Sequence, residues 1–149
     1  MIAVPDIVEQ LRGRIRSVEK SRRGPGEAVW SSGWPPLDGL LPGGSLRRGS
    51  LVEWLAAGPG SGAALLAWKA AQQAAGEGGA IVVLDRRHEV YPPALAAWGL
   101  DLERVIFVQP QNAQDEGWAW DQALRCPGVA AVWGWVDQVD SRLFRRWQL

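Results

Sequence analysis

The stretch Ser50-Leu51-Val52-Glu53-Trp54-Leu55-Ala56-Ala57-Gly58-Pro59-Gly60-Ser61-Gly62-Ala63-Ala64 decides the fold. A short apolar run, Ser50 to Leu55, reads as a strand. It meets a glycine-rich turn and then an Ala-, Leu- and Gln-rich run from Ala63 to Ala75, which reads as a helix stopped by Gly76 to Gly79. Strand, tight turn and helix in that order form the architecture that offers backbone N–H groups to a phosphate. The working pattern is G-x-x-x-x-G-K-S/T. Set on it, Ala57 replaces the first glycine and Gly62 matches the second, while Ala63 and Ala64 stand where the lysine and the Mg²⁺-binding hydroxyl belong. Gly58, Gly60, Ser61 and Gly62 are therefore the candidate cofactor-binding residues of a degenerate phosphate loop. Their backbone N–H groups would hold an anion weakly. Losing one donor to a developing charge typically costs about 10²–10³ in rate, so losing both groups removes hydrolysis. No catalytic residue and no metal ligand is assigned, and no cofactor is expected beyond residual ATP binding at this loop.

Outward from the loop, strand and helix signals alternate four times. Ala80 to Asp85 is a continuous apolar strand of the kind buried on both faces. Pro92 and Pro93 open a short helix through Trp98, ended by Gly99. Arg104 to Gln109 is the next strand, and Asn112 caps a helix to Arg125 with Asp115 and Glu116 in its first turn. Val129 to Trp135 is a fourth strand, and Asp140 starts a last helix. The alternation predicts an α/β fold with a mostly parallel sheet.

Upstream, Pro5 to Lys20 reads as an amphipathic helix, with Ile7, Val8, Leu11, Ile15 and Val18 near one face. Its ordinary reading is a solvated helix; the sharper one is a partner-docking helix. The breakers Gly24, Pro25 and Gly26 mark a linker. The expected organisation is a helix over 1–20, a linker over 21–28 and a partial α/β domain over 29–149.

Composition narrows the function classes. The 149 residues carry 16 basic and 16 acidic side chains, which argues against strong, purely electrostatic nucleic-acid binding. Cys126 is the single cysteine and His88 the single histidine, so neither a disulfide framework nor a zinc site is expected. No apolar run is long enough for a membrane helix, and a cytoplasmic location without membrane association is expected. Fourteen arginines against two lysines, with no threonine, point to a genome rich in G and C. Ten tryptophans fit that bias together with core packing, or else an interaction surface.

Ser32-Gly33, Leu37-Asp38, Leu40-Leu41, Gly43-Gly44, Leu46, Gly49 and Glu53 resemble the lead into the ATP loop of the RecA recombinase family. Leu84-Asp85, His88, Pro92, Gly99, Asp101-Leu102 and Gln109-Pro110 follow in the same order at nearly the same spacing. The resemblance implies a RecA-like P-loop NTPase core, truncated after the fourth strand, plus the N-terminal helix. Arg87 stands where those enzymes carry the glutamate that activates water, and Asp137 falls one place late for their metal-coordinating aspartate. The phrases LRRGSLVEWLA, VLDRRHEVYPPA and GLDLERVIFVQP are similar to the ImuA family of damage-induced mutagenesis cassettes.

That resemblance implies a non-catalytic accessory protein in SOS mutagenesis and translesion synthesis, binding recombinase or a Y-family-type polymerase partner. Contact with single-stranded DNA is left open. The alternatives are a nucleotide-dependent RecA-like ATPase in DNA repair, an SOS-linked cell-division inhibitor, and a fragment that does not fold. The resemblance also implies that one strand is missing between the fourth strand and the strand at Ser50 to Leu55, unless those two close up directly. Among the smaller features, His88 is expected to position its loop, Asp85 to cap one, and Cys126 to pack at a helix end. Arg86 and Arg87 either line a solvated loop or bind an acidic or phosphate group.

Overall fold

The computed structural model describes residues 7, 9–11, 13–14, 29–58, 60–76, 78–136 and 141–147. Of the N-terminal helix, residues 7, 9–11 and 13–14 are helical and exposed; its remainder and the linker over 21–28 lie outside the described residues. In chain order come β1 (Val29–Trp30), α1 (Pro35–Asp38), β2 (Leu46–Arg47), α2 (Ala63–Ala75), β3 (Ala80–Leu84), α3 (Pro92–Ala97), β4 (Val105–Val108), α4 (Ala113–Arg125), β5 (Val129–Gly134) and α5 (Ser141–Trp147). The short strands β1 and β2 pair antiparallel. The main sheet has three strands in the order β4-β3-β5, all parallel.

The central strand explains why its sequence is apolar without alternation. Ile81 and Val83 face α2 with Trp68, Ala71 and Ala75, in a cluster completed by Leu95 and Leu100. Val82 and Leu84 face α4 with Trp120 and Ala123. Successive side chains leave opposite faces of a strand, and here both faces are covered. On the α2 side the rings of Trp68 and Trp133 stack at 4.1 Å. On the α4 side Trp120 and Trp147 meet at 4.8 Å. Such aromatic pairs contribute about 0.5–1.5 kcal/mol beyond the area they bury.

Helix ends are satisfied by specific groups. The Asn112 side chain accepts from the N–H groups of Gln114 and Asp115, both at 3.0 Å, and so starts α4 as its sequence indicates. Arg104 donates to the carbonyls of Ala75 at 2.6 Å and Gly79 at 3.1 Å, closing the C-terminal end of α2. The buried Asp121 on α4 accepts from Arg125 one turn on and from Arg146 of α5, at 2.8 and 2.9 Å on its two oxygens. This bidentate pair ties α5 to the body of the domain.

The strand expected over Ser50 to Leu55 does not form; residues 50–56 carry no regular structure. A strand is a paired object, because its N–H and C=O groups need a neighbouring ladder, and this segment pairs with no described strand. The direct closure of the fourth strand on the first is likewise not seen. Among the described residues the main sheet therefore has three strands rather than four, and β5 has β3 on one side and no described strand on the other.

Two substitutions test this packing. A Cβ at Gly134 would lie 2.8 Å from the Leu84 carbonyl and 2.9 Å from the Trp120 ring, whereas Gly128 has open space around it. Gly134→Ala is expected to cost about 1–3 kcal/mol in urea unfolding, with Gly128→Ala close to neutral. The Arg146 guanidinium holds the Asp121 carboxyl below its ordinary value, Arg125 adds to this, and burial works against it. A depressed carboxyl contributes stability above its unfolded value and loses it as pH falls through the folded one. The gap in urea midpoint between wild type and Asp121→Asn should hold at neutral pH and close below about pH 4.

Candidate functional site

The glycine turn keeps the backbone that its sequence requires. Gly60 and Gly62 have φ values of 75° and 81°, a region open to glycine and strained for other residues. The Ser61 N–H donates to the Gly58 carbonyl at 3.2 Å, and Gly62 is the N-terminal cap of α2, with no side-chain cap. A Cβ at Gly58, Gly60 or Gly62 would meet nothing within 4 Å, so the turn stands clear of the protein body. The sequence-predicted residues Gly58, Gly60, Ser61 and Gly62 are thus brought together in one turn at a helix start.

The residues around the turn do not fit a magnesium nucleotide. Ala63 and Ala64 open α2 without an ammonium or a hydroxyl. Lys69 lies further along the helix, its stem against the Gly33 position rather than at the turn. Among the described residues no cluster of His, Cys, Asp and Glu could hold a metal ion. Two cavities lie away from the turn. One of about 10 Å³ is lined by Asp85, Arg86, Arg87, Glu116 and Trp135. The other, a cleft of about 260 Å³, lies between α4 and α5 and is lined by Trp120, Leu143 and Trp147 among others.

At the carboxyl ends of β3 and β5 the polar groups are committed to structure. Asp85 is 2% exposed and accepts from the N–H groups of Glu89 at 2.9 Å and Val90 at 3.0 Å, clamping the loop after β3. His88 is exposed within that loop, at φ 56°, and its N–H donates to the Asp85 carbonyl. Arg86 pairs with Glu116 of α4 at 2.6 Å, and Arg87 approaches Glu89 at 3.9 Å. Trp135 stands at the mouth of the sheet, edge-on to Trp133 at 5.3 Å. Asp137 lies outside the described residues. Cys126 ends α4 as expected but is exposed rather than packed, because it opens an exposed tight turn that the Val129 N–H closes on the Cys126 carbonyl at 3.0 Å.

A second polar cluster, Ser31, Ser32 and Asp38, forms an ordered box. The Ser31 hydroxyl donates to Asp38 at 2.5 Å and the Ser32 N–H donates to its other oxygen at 2.8 Å. Hydrogen bonds from the Ser31 and then the Ser32 hydroxyl hold the Asp38 carboxyl below its ordinary value. Ser32 is fully buried, and a Cβ at Gly33 would lie 3.1 Å from Gln73 of α2, so the box seats against that helix.

Against known proteins, no protein-family model matches the chain. It is 34% identical to Protein ImuA of Caulobacter vibrioides (strain NA1000 / CB15N), over 81% of this chain and 52% of that protein. The chain is ImuA-like. More distant matches are Protein RecA of Streptococcus pyogenes serotype M49, 33% identical over 74% of this chain and 27% of that protein, and Protein RecA of Streptococcus agalactiae serotype III, 34% identical over the same shares. The α/β architecture with its parallel sheet is a RecA-like core. The ImuA-like chain spans about half the length of the curated ImuA proteins it matches.

The loop clamp predicts a measurable cost. Asp85→Ala removes the acceptor of two backbone N–H groups and should destabilise the protein by about 1–3 kcal/mol. Amide hydrogen exchange at Glu89 and Val90 should accelerate with it.

Proposed function

We propose that this ImuA-like chain is a non-catalytic RecA-like accessory protein of damage-induced translesion synthesis, working in the cytoplasm by docking on recombinase or on a Y-family-type polymerase partner. The observation that carries the reading is the pair Ala63 and Ala64 directly after a turn in which Gly60 and Gly62 keep left-handed φ values. A phosphate loop without its ammonium and metal-binding hydroxyl retains an anion-binding backbone and lacks the charge that turnover requires. Arg87, paired with Glu89, cannot replace a glutamate as a general base. In this reading Gly58, Gly60, Ser61 and Gly62 form a vestigial site that binds nucleotide weakly at most, and no cofactor is required.

Docking has material to use. Trp34, Trp98, Trp118 and Trp135 are exposed, Trp118 most of all at 64%. Tryptophan is over-represented among the residues that dominate binding energy at interfaces. No helix among the described residues is long and apolar enough to cross a membrane.

The test is a thermal melt followed by Trp fluorescence, with and without millimolar ATP and magnesium. A ligand that binds only the folded chain must raise the midpoint. The expected outcome is a cooperative melt that nucleotide leaves in place. A marked upward shift, abolished by Gly62→Val, would favour a nucleotide-dependent ATPase instead. Capture experiments with recombinase, the polymerase partner and the tubulin-like division protein then separate the adaptor from a division inhibitor. Trp118→Ala should leave the melt unchanged and weaken capture about tenfold or more.

A further inference from the structure

We propose that α3 and its two flanks form a docking face for a basic, proline-rich peptide in the extended polyproline conformation. The face is built on an aromatic pair. Tyr91 is 69% exposed and Trp98 is 41% exposed, and they stand at the two ends of α3. Ala94 lies between them. Its N–H donates to the Tyr91 carbonyl at 3.0 Å, and the Trp98 N–H donates to the Ala94 carbonyl at 3.1 Å. Residues three and four apart are neighbours on a helix surface, so Tyr91, Ala94 and Trp98 form one row, with a small residue between two rings. The row is held in place from below. Leu95 is 2% exposed and packs with Leu100 against Ile81 and Val83. Every residue from 78 to 136 is described, α3 connects β3 to β4, and β5 lies on the far side of β3.

Spacing and hydrogen bonding favour a polyproline partner. Seven residues of helix separate the two aromatic positions by about 10 Å. One turn of a polyproline helix, three residues long, advances about 9 Å, so ligand residues one turn apart meet Tyr91 and Trp98 together. A polyproline segment has no internal hydrogen bonds, and its carbonyls are free to accept. Among the described residues neither the Tyr91 hydroxyl nor the Trp98 indole N–H has a hydrogen-bond partner, so both are available as donors. Exposed aromatic rings that each carry such a donor are the means by which proline-rich segments are recognised.

Charge selects the sign of the partner. From His88 to Glu103 the chain carries Glu89, Asp101 and Glu103 and no lysine or arginine. All three carboxylates are exposed, Glu89 before the row and the other two after it. Arg87 approaches Glu89 at 3.9 Å, and Arg104 is turned away onto the carbonyls of Ala75 and Gly79. The face is therefore aromatic and acidic. It repels the phosphates of a nucleic acid and suits arginine or lysine, which also stack over aromatic rings.

The test uses fluorescein-labelled peptides titrated with the full chain and followed by anisotropy. The probe is a repeat of Arg-Pro-Pro. A repeat of Arg-Gly-Gly with the same charge, a repeat of Glu-Pro-Pro and an oligothymidylate are the comparisons. The Arg-Pro-Pro repeat should bind saturably, and each comparison should bind at least tenfold more weakly. Tyr91→Ala and Trp98→Ala should each raise its dissociation constant about tenfold or more and keep a cooperative melt, since both rings stand in water. Trp118→Ala, on α4, should leave it unchanged. Absence of saturable binding by the Arg-Pro-Pro repeat would overturn the proposal. Equal binding of the Arg-Gly-Gly repeat would reduce the face to charge alone, and tighter binding of oligothymidylate would make it a base-stacking platform; either result overturns it as well. These comparisons are made on the wild-type chain and need no variant to fold. The face does not rest on the accessory role proposed above, and each can fail without the other.

Discussion

A central parallel strand pairs along both edges and buries both faces, and among the described residues Ala80–Leu84 is the segment that does both. It has β4 on one side and β5 on the other, with α2 above and α4 below. The elements packed around it take their positions from it. Gly134 is glycine because the end of β5 must pass close to Leu84 and Trp120. Arg104 reaches back from the start of β4 to close the end of α2. Asp85, directly after the strand, turns the chain by holding the N–H groups of Glu89 and Val90. A residue buried at the end of such a strand is readily taken for a ligand. Here its two oxygens are occupied by the loop that it shapes.

Much of this framework was legible because local rules and the tertiary fold agree. The helix at Ala63–Ala75 keeps the bounds its composition and flanking glycines indicate, and Asn112 caps α4 with two bonds where its position predicts them. The continuous apolar run at β3 announced a strand covered on both faces. What was not legible depends on contacts far apart in the chain. Asp121 and Arg125 are one helical turn apart and readable as a pair, but the stronger partner, Arg146, is 25 residues away. The Ser31, Ser32 and Asp38 box was visible as a pattern, and its role as a seat against α2 was not. Ser50–Leu55 shows the limit most plainly. Its short apolar run reads as a strand, and the element is absent because pairing is a property of neighbours.

That absence bears on the glycine turn as much as the two alanines do. A phosphate loop works by holding N–H groups already aimed at the anion, so that no ordering is needed on binding. The aim comes from the strand before the turn and the helix after it. Here α2 is anchored by Trp68, Ala71 and Ala75, but the segment before the turn has no place in the sheet. The turn retains its left-handed glycines at residues 60 and 62, and a Cβ at either would meet nothing within 4 Å. In the proposed reading charge and preorganisation are both wanting, for separate reasons. Restoring a lysine at residue 63 would address only the first, because its ammonium would sit on a loop held at one end. The docking surface proposed for the exposed tryptophans has no such requirement. Trp118 projects from α4, whose other face is fixed by Trp120, Asp121 and Ala123, so its ring is presented on a rigid helix that owes nothing to the missing strand.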